Sequence, residues 1–460
     1  MHILLLIVYG GLAGYGIWRV PFLRKSGIRP GWLLVLFAVH VVAGWVHNWI
    51  AYRYFPDHGD IWNYFSLSFL YRHRLMSEFH LFVSDNSTWT YITHNGIVYV
   101  QMVLDLFSAD DMYVNTLLFS FPVFLGNVAL FRVFRRRFGE DGLAAGTVFW
   151  LPSVLFWTAC IYREGMLFML LGFLFFHLDR WPARRSVYAA IGLFLLIAYF
   201  RLAVAVILVP ALFVWWLVDR PFSARIRLRI GLIIIVLLTL VLFLPALRGT
   251  FLQAVTTEQA SFQMLEGHSR LALPLLDGTP ASFWRAFPFA VRNGLFEPLP
   301  GSGGQTAYLA FSIELVFVWL IVLLAAIRLF RASLSRGPLV HSNYGEFAVV
   351  KPEPIPADSP VRGDSPKSQV RGHSPDSPIH SDSPHSSLPA DSAAFSLAGI
   401  LFALAGMLLI GFVVPFAGTI VRYRSIYLPF LLAPAVHSLR SHPGIRRLNR
   451  WLNNKLRFLI

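Results

Sequence analysis

The chain has 460 residues, of which 56% are hydrophobic and only 14% charged, with a mean hydropathy of +0.59. So apolar a composition leaves too little polar surface to cover a soluble core, which excludes an ordinary soluble globular protein. The net charge of +15 comes with a single cysteine, Cys160, which excludes an internal disulfide and a cysteine-ligated metal cluster.

Uninterrupted Leu/Ile/Val/Phe runs fit membrane helices, not barrel strands with their alternating pattern. The expected fold is all-α and polytopic, with about eleven spans if short apolar runs are admitted. They fall at 2–18, 31–52, 112–131, 143–161, 165–178, 187–200, 202–218, 228–247, 307–327, 395–417 and 425–439. The first lacks a basic leader and a small-residue cleavage site, and reads as a retained helix.

Alternate connections sort by charge. One set holds Arg19/Arg24/Lys25/Arg29, Arg132/Arg135/Arg136/Arg137, Arg180/Arg184/Arg185, Arg220/Arg225/Arg227/Arg229, Arg328/Arg331 and the basic tail 441–460. The positive-inside rule makes this the cytoplasmic side. The +15 charge is thereby accounted for without nucleic acid, because no basic run carries base-stacking aromatics outside the apolar segments. The expectation is a multi-pass protein of a bacterial cytoplasmic membrane, N-terminus outside and C-terminus inside.

The division expected is a transmembrane region over 1–331, a linker over 332–394, a transmembrane hairpin over 395–440 and the tail. The linker is rich in Ser, Pro, Asp and His and repeats Val-Arg-Gly-(Asp/His)-Ser-Pro at 361–366 and 370–375. With few large apolar residues it is expected to be disordered and cytoplasmic. Outward loops are 53–111 and 248–306. The density of Pro and Gly in 248–306 predicts an irregular loop layer, not a long helix.

The outward connections carry the candidate chemistry. Arg163, Arg201, Arg422 and Arg424 sit in short outward turns, against the charge bias of that side. Arginines flush with apolar helix ends snorkel to headgroups, line a wet cavity or meet a partner. Four of them beside Tyr162 and Glu164 suit a phosphate, because the guanidinium fork matches phosphate oxygens. A polyprenyl-linked sugar is the phosphate-bearing ligand a membrane supplies. Asp57 and Asp60 follow the second span, within Phe55-Pro56-Asp57-His58-Gly59-Asp60. They bracket a turn or share a helix face, and either carboxylate has the chemistry of a general base. With His58 they also have the donor types of a divalent-cation site, although that spacing is weak evidence for metal. The plain alternative is a turn that ends the span. Arg292, Glu258, Glu266 and His268 in the second loop are candidate acceptor contacts. Glu314 is an intramembrane carboxylate, and its plain role is a salt bridge to an outward arginine.

These features resemble the C-type glycosyltransferases, such as the protein O-mannosyltransferases and the lipid A aminoarabinose transferases. The resemblance rests on the acidic loop and on two short stretches. One is Val421-Arg422-Tyr423-Arg424-Ser425-Ile426-Tyr427-Leu428-Pro429. The other is Leu151-Pro152-Ser153-Val154-Leu155-Phe156-Trp157 followed by Tyr162-Arg163-Glu164-Gly165. It implies sugar transfer from a polyprenyl-phosphate donor to a glycan, lipid or protein acceptor at the outer face, with Asp57 or Asp60 as base. Tyr423 joins the supporting residues by the same likeness. The chain departs from the pattern in placing its acidic motif after the second span and in lacking adjacent acids. Two other classes are open: a polymerase or ligase acting on undecaprenyl-pyrophosphate-linked glycans, which needs arginines but no such base, and a lipid or glycan transporter.

Overall fold

The computed structural model describes residues 1–54, 59–78, 80, 96–139, 141–219, 245–267, 269–300, 308–335 and 392–457. Asp57, His58, His268, the expected span at 228–247 before residue 245 and the linker between 336 and 391 lie outside the described residues. The described edges of that linker, 332–335 and 392–394, are helical. The chain divides into two compact units, Met1–Leu329 with Ala390–Ile460, and Phe330–Pro389. The bundle of packed helices lies in the first.

The described residues are helical, with one isolated antiparallel bridge between Arg270 and Phe416. Five helices are long and apolar enough to cross a membrane: α1 (His2–Arg19), α3 (Pro30–Tyr54, after a short α2 at Pro21–Arg24), α6 (Met112–Arg137), α14 (Leu309–Ser335) and α15 (Ser392–Val413). Two further helices, α8 (Pro152–Thr158) and α9 (Arg163–Leu178), pass the same test together but bend by 109° at their junction. The protein is thus an all-helical chain with five, or counting the bent pair six, candidate spans among the described residues. The shorter apolar helices are α5 (Gly96–Ser108), Leu202–Val218 of α11 (Leu202–Asp219) and α17 (Leu428–Ser438). Helix α10 (Arg184–Phe200) lies between α9 and α11 in the chain.

Helix α6 runs through the middle, and at 1.5 Å per residue its 26 residues reach about 39 Å. Asp111 caps its start, accepting from the amides of Tyr113 and Val114 at 2.8 and 2.9 Å. Helix α9 lies against it, because glycines on both let the backbones touch. A Cβ on Gly126 would strike the Met169 backbone, and one on Gly172 would strike the Gly126 carbonyl. Small residues of this kind set close helix crossings in membranes. Helices α7 (Gly142–Trp150) and α8 carry the chain back between them. Pro152 breaks that return path into two helices, since it opens α8 at a position where its missing N–H is no loss. Gly165 permits the sharp turn into α9, where a Cβ would stand 2.6 Å from the Thr158 carbonyl oxygen. The core around these helices is aromatic: Phe124, Phe134, Phe168, Phe402 and Phe430 are fully buried.

The segments expected to face outward differ from expectation. Helix α4 (Gly59–Ser77) follows the second span and packs on α5. The second loop is not irregular throughout, because α12 (Pro245–Gln263) and α13 (Pro280–Val291) occupy much of it. Its prolines are unevenly placed: residues 248–263, which lie in α12, hold none, Pro280 is the first residue of α13, where proline is favoured, and Pro288 lies within α13. Thr279 caps α13 through its hydroxyl, which accepts from the Ser282 amide at 3.3 Å. Among the described residues of this segment, the irregular backbone is confined to 264–267, 269–279 and 297–300, the last following a π-helical turn at Arg292–Phe296. At the other end the tail forms α18 (Pro443–Arg457). It is held there by Asn449, which accepts from the Leu143 amide, and by the Lys455 carbonyl, which accepts from the Trp32 indole.

Candidate functional site

At the end of the bundle where α6 and α9 begin, four separate stretches of chain converge. The first is α4. Gly59 has φ +70°, a left-handed value that favours glycine, and it delivers the chain into the helix with Asp60 in the first turn. Tyr64 stands one turn further along the same face. The second is the start of α9, where Tyr162 is the N-cap residue and Arg163 and Glu164 lie in the first turn. The third is Arg201, the extended residue between α10 and α11, with φ −161° and ψ 91°. The fourth is the last turn of α16 (Ala417–Arg424), which carries Arg422 and Tyr423.

Local structure fixes that last turn. Leu271 donates to the Pro415 carbonyl at 2.6 Å, and Ala417 donates to the Ser269 carbonyl at 3.0 Å, so residues 269–271 brace the entry to α16. The Ser425 hydroxyl donates to the Arg422 carbonyl at 2.6 Å and ends the helix. Pro429 then opens α17.

The charged groups are stacked in depth. Glu164 lies at the bottom with its side chain 2% exposed, Arg422 and Arg201 follow at 14% and 20%, and Asp60 is at the mouth at 50%. Arg201 donates to Glu164 at 3.1 Å. The Arg422 Nε atom is 3.9 Å from the other oxygen of Glu164. From its far end Arg422 donates to Asp60 at 2.7 Å and to the Tyr423 hydroxyl at 3.3 Å. The Arg201 guanidinium stacks 3.6 Å over the Tyr423 ring, and Arg422 lies 4.9 Å over Tyr162. Tyr162 in turn meets His47 of α3 edge-on, with ring centroids 5.3 Å apart. Glu164 therefore holds two guanidiniums side by side in a wall of aromatic rings, and its place in the first turn of α9 sets it at the positive end of that helix.

This field changes the titrating groups. The Arg422 guanidinium holds the Asp60 carboxyl below its ordinary value against the upward push of burial, and Arg163 acts in the same direction. Burial would raise the Tyr423 phenol, but Arg201 and Arg422 outweigh it and bring it below its ordinary value. Tyr64 shares the field of Asp60, Arg422 and Arg163, and burial raises its phenol.

Of the residues singled out from sequence, Asp60, Tyr162, Arg163, Glu164, Arg201, Arg422 and Tyr423 come together here. Arg424 does not. Two residues along a helix turn the side chain by about 200°, so Arg424 leaves α16 on the opposite side from Arg422. It is buried and donates to the Glu297 carbonyl at 2.7 Å and the Gly294 carbonyl at 3.4 Å. Its role in the fold is to tie down the π turn. Arg292 is engaged by Glu297 at 3.0 Å. Glu314 accepts from the amide and hydroxyl of Ser153 at 3.0 and 2.9 Å, so its resolved hydrogen bonds go to the start of α8 and not to an arginine. Glu258 and Glu266 are exposed. No group of three His, Cys, Asp or Glu among the described residues could hold a metal ion.

Tyr64 and His47 were not anticipated. The four-residue spacing from Asp60 to Tyr64 was a usable signal. His47 gave none, since it sits within an apolar span.

Chemically, the cluster sets two guanidiniums between two carboxylates, Glu164 and Asp60. Asp60 is the most exposed of the four charged groups, and Arg422 is paired to it. No protein-family model, no curated protein and no solved structure matches the chain.

Proposed function

We propose that the protein is a membrane glycosyltransferase, moving a sugar from a polyprenyl-phosphate donor to a glycan, lipid or protein acceptor on the extracytoplasmic side. The observation that carries this reading is the Glu164–Arg201–Arg422–Asp60 stack at the end of the bundle opposite the basic loops. The donor phosphate takes the place of the Asp60 carboxylate on Arg422. The bond from the sugar's anomeric carbon to the phosphate oxygen then breaks, and Arg201 and Arg422 stabilise the charge left on the polyprenyl phosphate. The acceptor's oxygen or nitrogen bonds to the anomeric carbon in its place, and Asp60, released from Arg422, accepts the proton that the acceptor hydroxyl or amine loses. Asp57, outside the described residues, is the other candidate for that role. In this reading the N-terminus is outside and the C-terminus cytoplasmic, in a bacterial cytoplasmic membrane. The shorter helices and the segment at 228–247 complete about eleven crossings, with the short ones set around a recessed cavity.

The depressed Asp60 carboxyl favours a second reading. A carboxylate held ionised by arginine is a weak base, and a polymerase or ligase acting on undecaprenyl-pyrophosphate-linked glycans needs only the arginines. Asp57→Asn, Asp60→Asn and Arg422→Ala variants, assayed in membranes for consumption of polyprenyl-phosphate-sugar and of undecaprenyl-pyrophosphate-linked glycan, separate the cases. Loss of turnover in Arg422→Ala and in an aspartate variant supports the transferase. Loss in Arg422→Ala alone supports the second reading, and unchanged turnover in all three refutes both.

A further inference from the structure

The opposite end of the bundle holds a second concentration of charge that the proposed reaction does not use. A cavity of 370 Å³ opens there, lined among other groups by Lys25, Arg132, Arg135, Arg136, Arg180 and Asp179. Five cations thus face one carboxylate among the described lining residues. That carboxylate is already engaged: Arg136 donates to one of its oxygens at 3.0 Å and Arg137 to the other at 2.7 Å.

The cations are built into the fold and do not simply trail into water. Arg132 donates to the Phe22 carbonyl at 3.1 Å and lies 4.9 Å from the centroids of both Phe22 and Phe176. Arg135 donates to the Ser26 carbonyl, and Arg180 to the Phe176 carbonyl at 3.0 Å, with its guanidinium stacked on the Phe176 ring. The carbonyls that orient Arg132 and Arg180 supply no net negative charge. Like charges gathered around one cavity repel one another, and an anion seated among them relieves that repulsion. Guanidinium forks match phosphate oxygens, and basic pockets between membrane helices take phosphate-bearing headgroups.

We infer that this cavity is a second anion site that binds a phosphate group, from an anionic phospholipid headgroup or from free phosphate. Val133 and Phe176 also line the cavity and set apolar groups beside its cations, which suits the glycerol end of a lipid. The site stands apart from the proposed reaction, so it survives or fails independently of it.

The test uses the full chain, stripped of lipid in detergent. It is titrated with phosphatidylglycerol, with phosphatidylcholine and with inorganic phosphate, and bound ligand is counted by native mass spectrometry. Phosphatidylglycerol is expected to bind once per chain and phosphatidylcholine far more weakly. Lys25→Gln/Arg180→Gln is expected to weaken phosphatidylglycerol binding by about 30-fold. Arg446→Gln/Arg447→Gln on α18 removes the same charge and is expected to leave binding unchanged. Displacement of the lipid by millimolar phosphate identifies free phosphate as a ligand of the same pocket, and resistance to it identifies the headgroup. If the double variant does not fold, Lys25→Gln alone carries the test, because that side chain is exposed. Equal binding by wild type and the Lys25 variants, equal weakening by the α18 pair, or no binding of either ligand by wild type overturns the inference.

Discussion

The buried carboxylate under the two arginines is the most exacting place to perturb the outer cluster. Glu164→Gln keeps the shape and one hydrogen-bond acceptor but removes the charge. At 3.1 Å, the Arg201–Glu164 attraction amounts to about 5 kcal/mol with an effective dielectric of 20, before desolvation is subtracted. Breaking a buried pair by removing one partner costs about 3–5 kcal/mol, because it strands the other charge. Arg422 retains Asp60, and Arg201 is partly exposed, so the lower end of that range is expected: a loss of about 3 kcal/mol in unfolding free energy. Denaturant unfolding in detergent, followed by tryptophan fluorescence, measures it. The decisive form is a double-mutant cycle with Arg201→Gln. A direct pair predicts a coupling of at least about 1.5 kcal/mol, whereas additivity within about 0.5 kcal/mol refutes the proposed stack.

Three further outcomes follow from the same geometry. Asp60→Asn frees Arg422 and is expected to tighten binding of a short-chain isoprenyl phosphate while lowering sugar transfer by at least about 100-fold; isothermal titration beside a transfer assay checks both signs. The Asp60–Arg422 pair has a defined pH window. The carboxyl is depressed in the folded protein, so its contribution is complete above the ordinary value of about 4 and is lost as pH falls through the lower folded value. The stability difference between wild type and Asp60→Asn is therefore expected to stay constant from pH 8 to about 5 and to shrink below about 4 in acid titrations. Gly165→Ala places a Cβ 2.6 Å from the Thr158 carbonyl oxygen, and the backbone shift needed is expected to cost about 1–3 kcal/mol and to lower transfer by displacing Glu164; unfolding midpoints and turnover measure the two effects.

The parts of the cluster that could be found in the sequence were those that broke a rule of the surrounding composition. Arg163, Arg201 and Arg422 stood out because positive charge is disfavoured in short outward turns, and Asp60 because it directly follows a span. Arg424 broke the same rule and was grouped with them wrongly. The error lay in treating 419–425 as a turn, where neighbours converge, when it is the end of a helix, where residues two apart diverge. The bent return path through α7 and α8 had its signals in Pro152 and Gly165, yet an apolar run reads as one span whether or not it bends. Segment 248–306 looked irregular because a count of its prolines does not show that residues 248–263 hold none and that Pro280 opens a helix. Nothing local marked Glu164 as the floor of the stack. That role depends on Arg201 and Arg422, which are distant in the chain, being brought to it by packing.

The most direct test of the central claim is release of polyprenyl phosphate from a radiolabelled polyprenyl-phosphate-sugar by the purified full chain in lipid nanodiscs, with wild type and Arg422→Ala compared at saturating acceptor. The donor-site reading predicts release by wild type and a fall of at least about 100-fold in the variant. Equal release by both proteins, or none by wild type across a panel of donors, contradicts it.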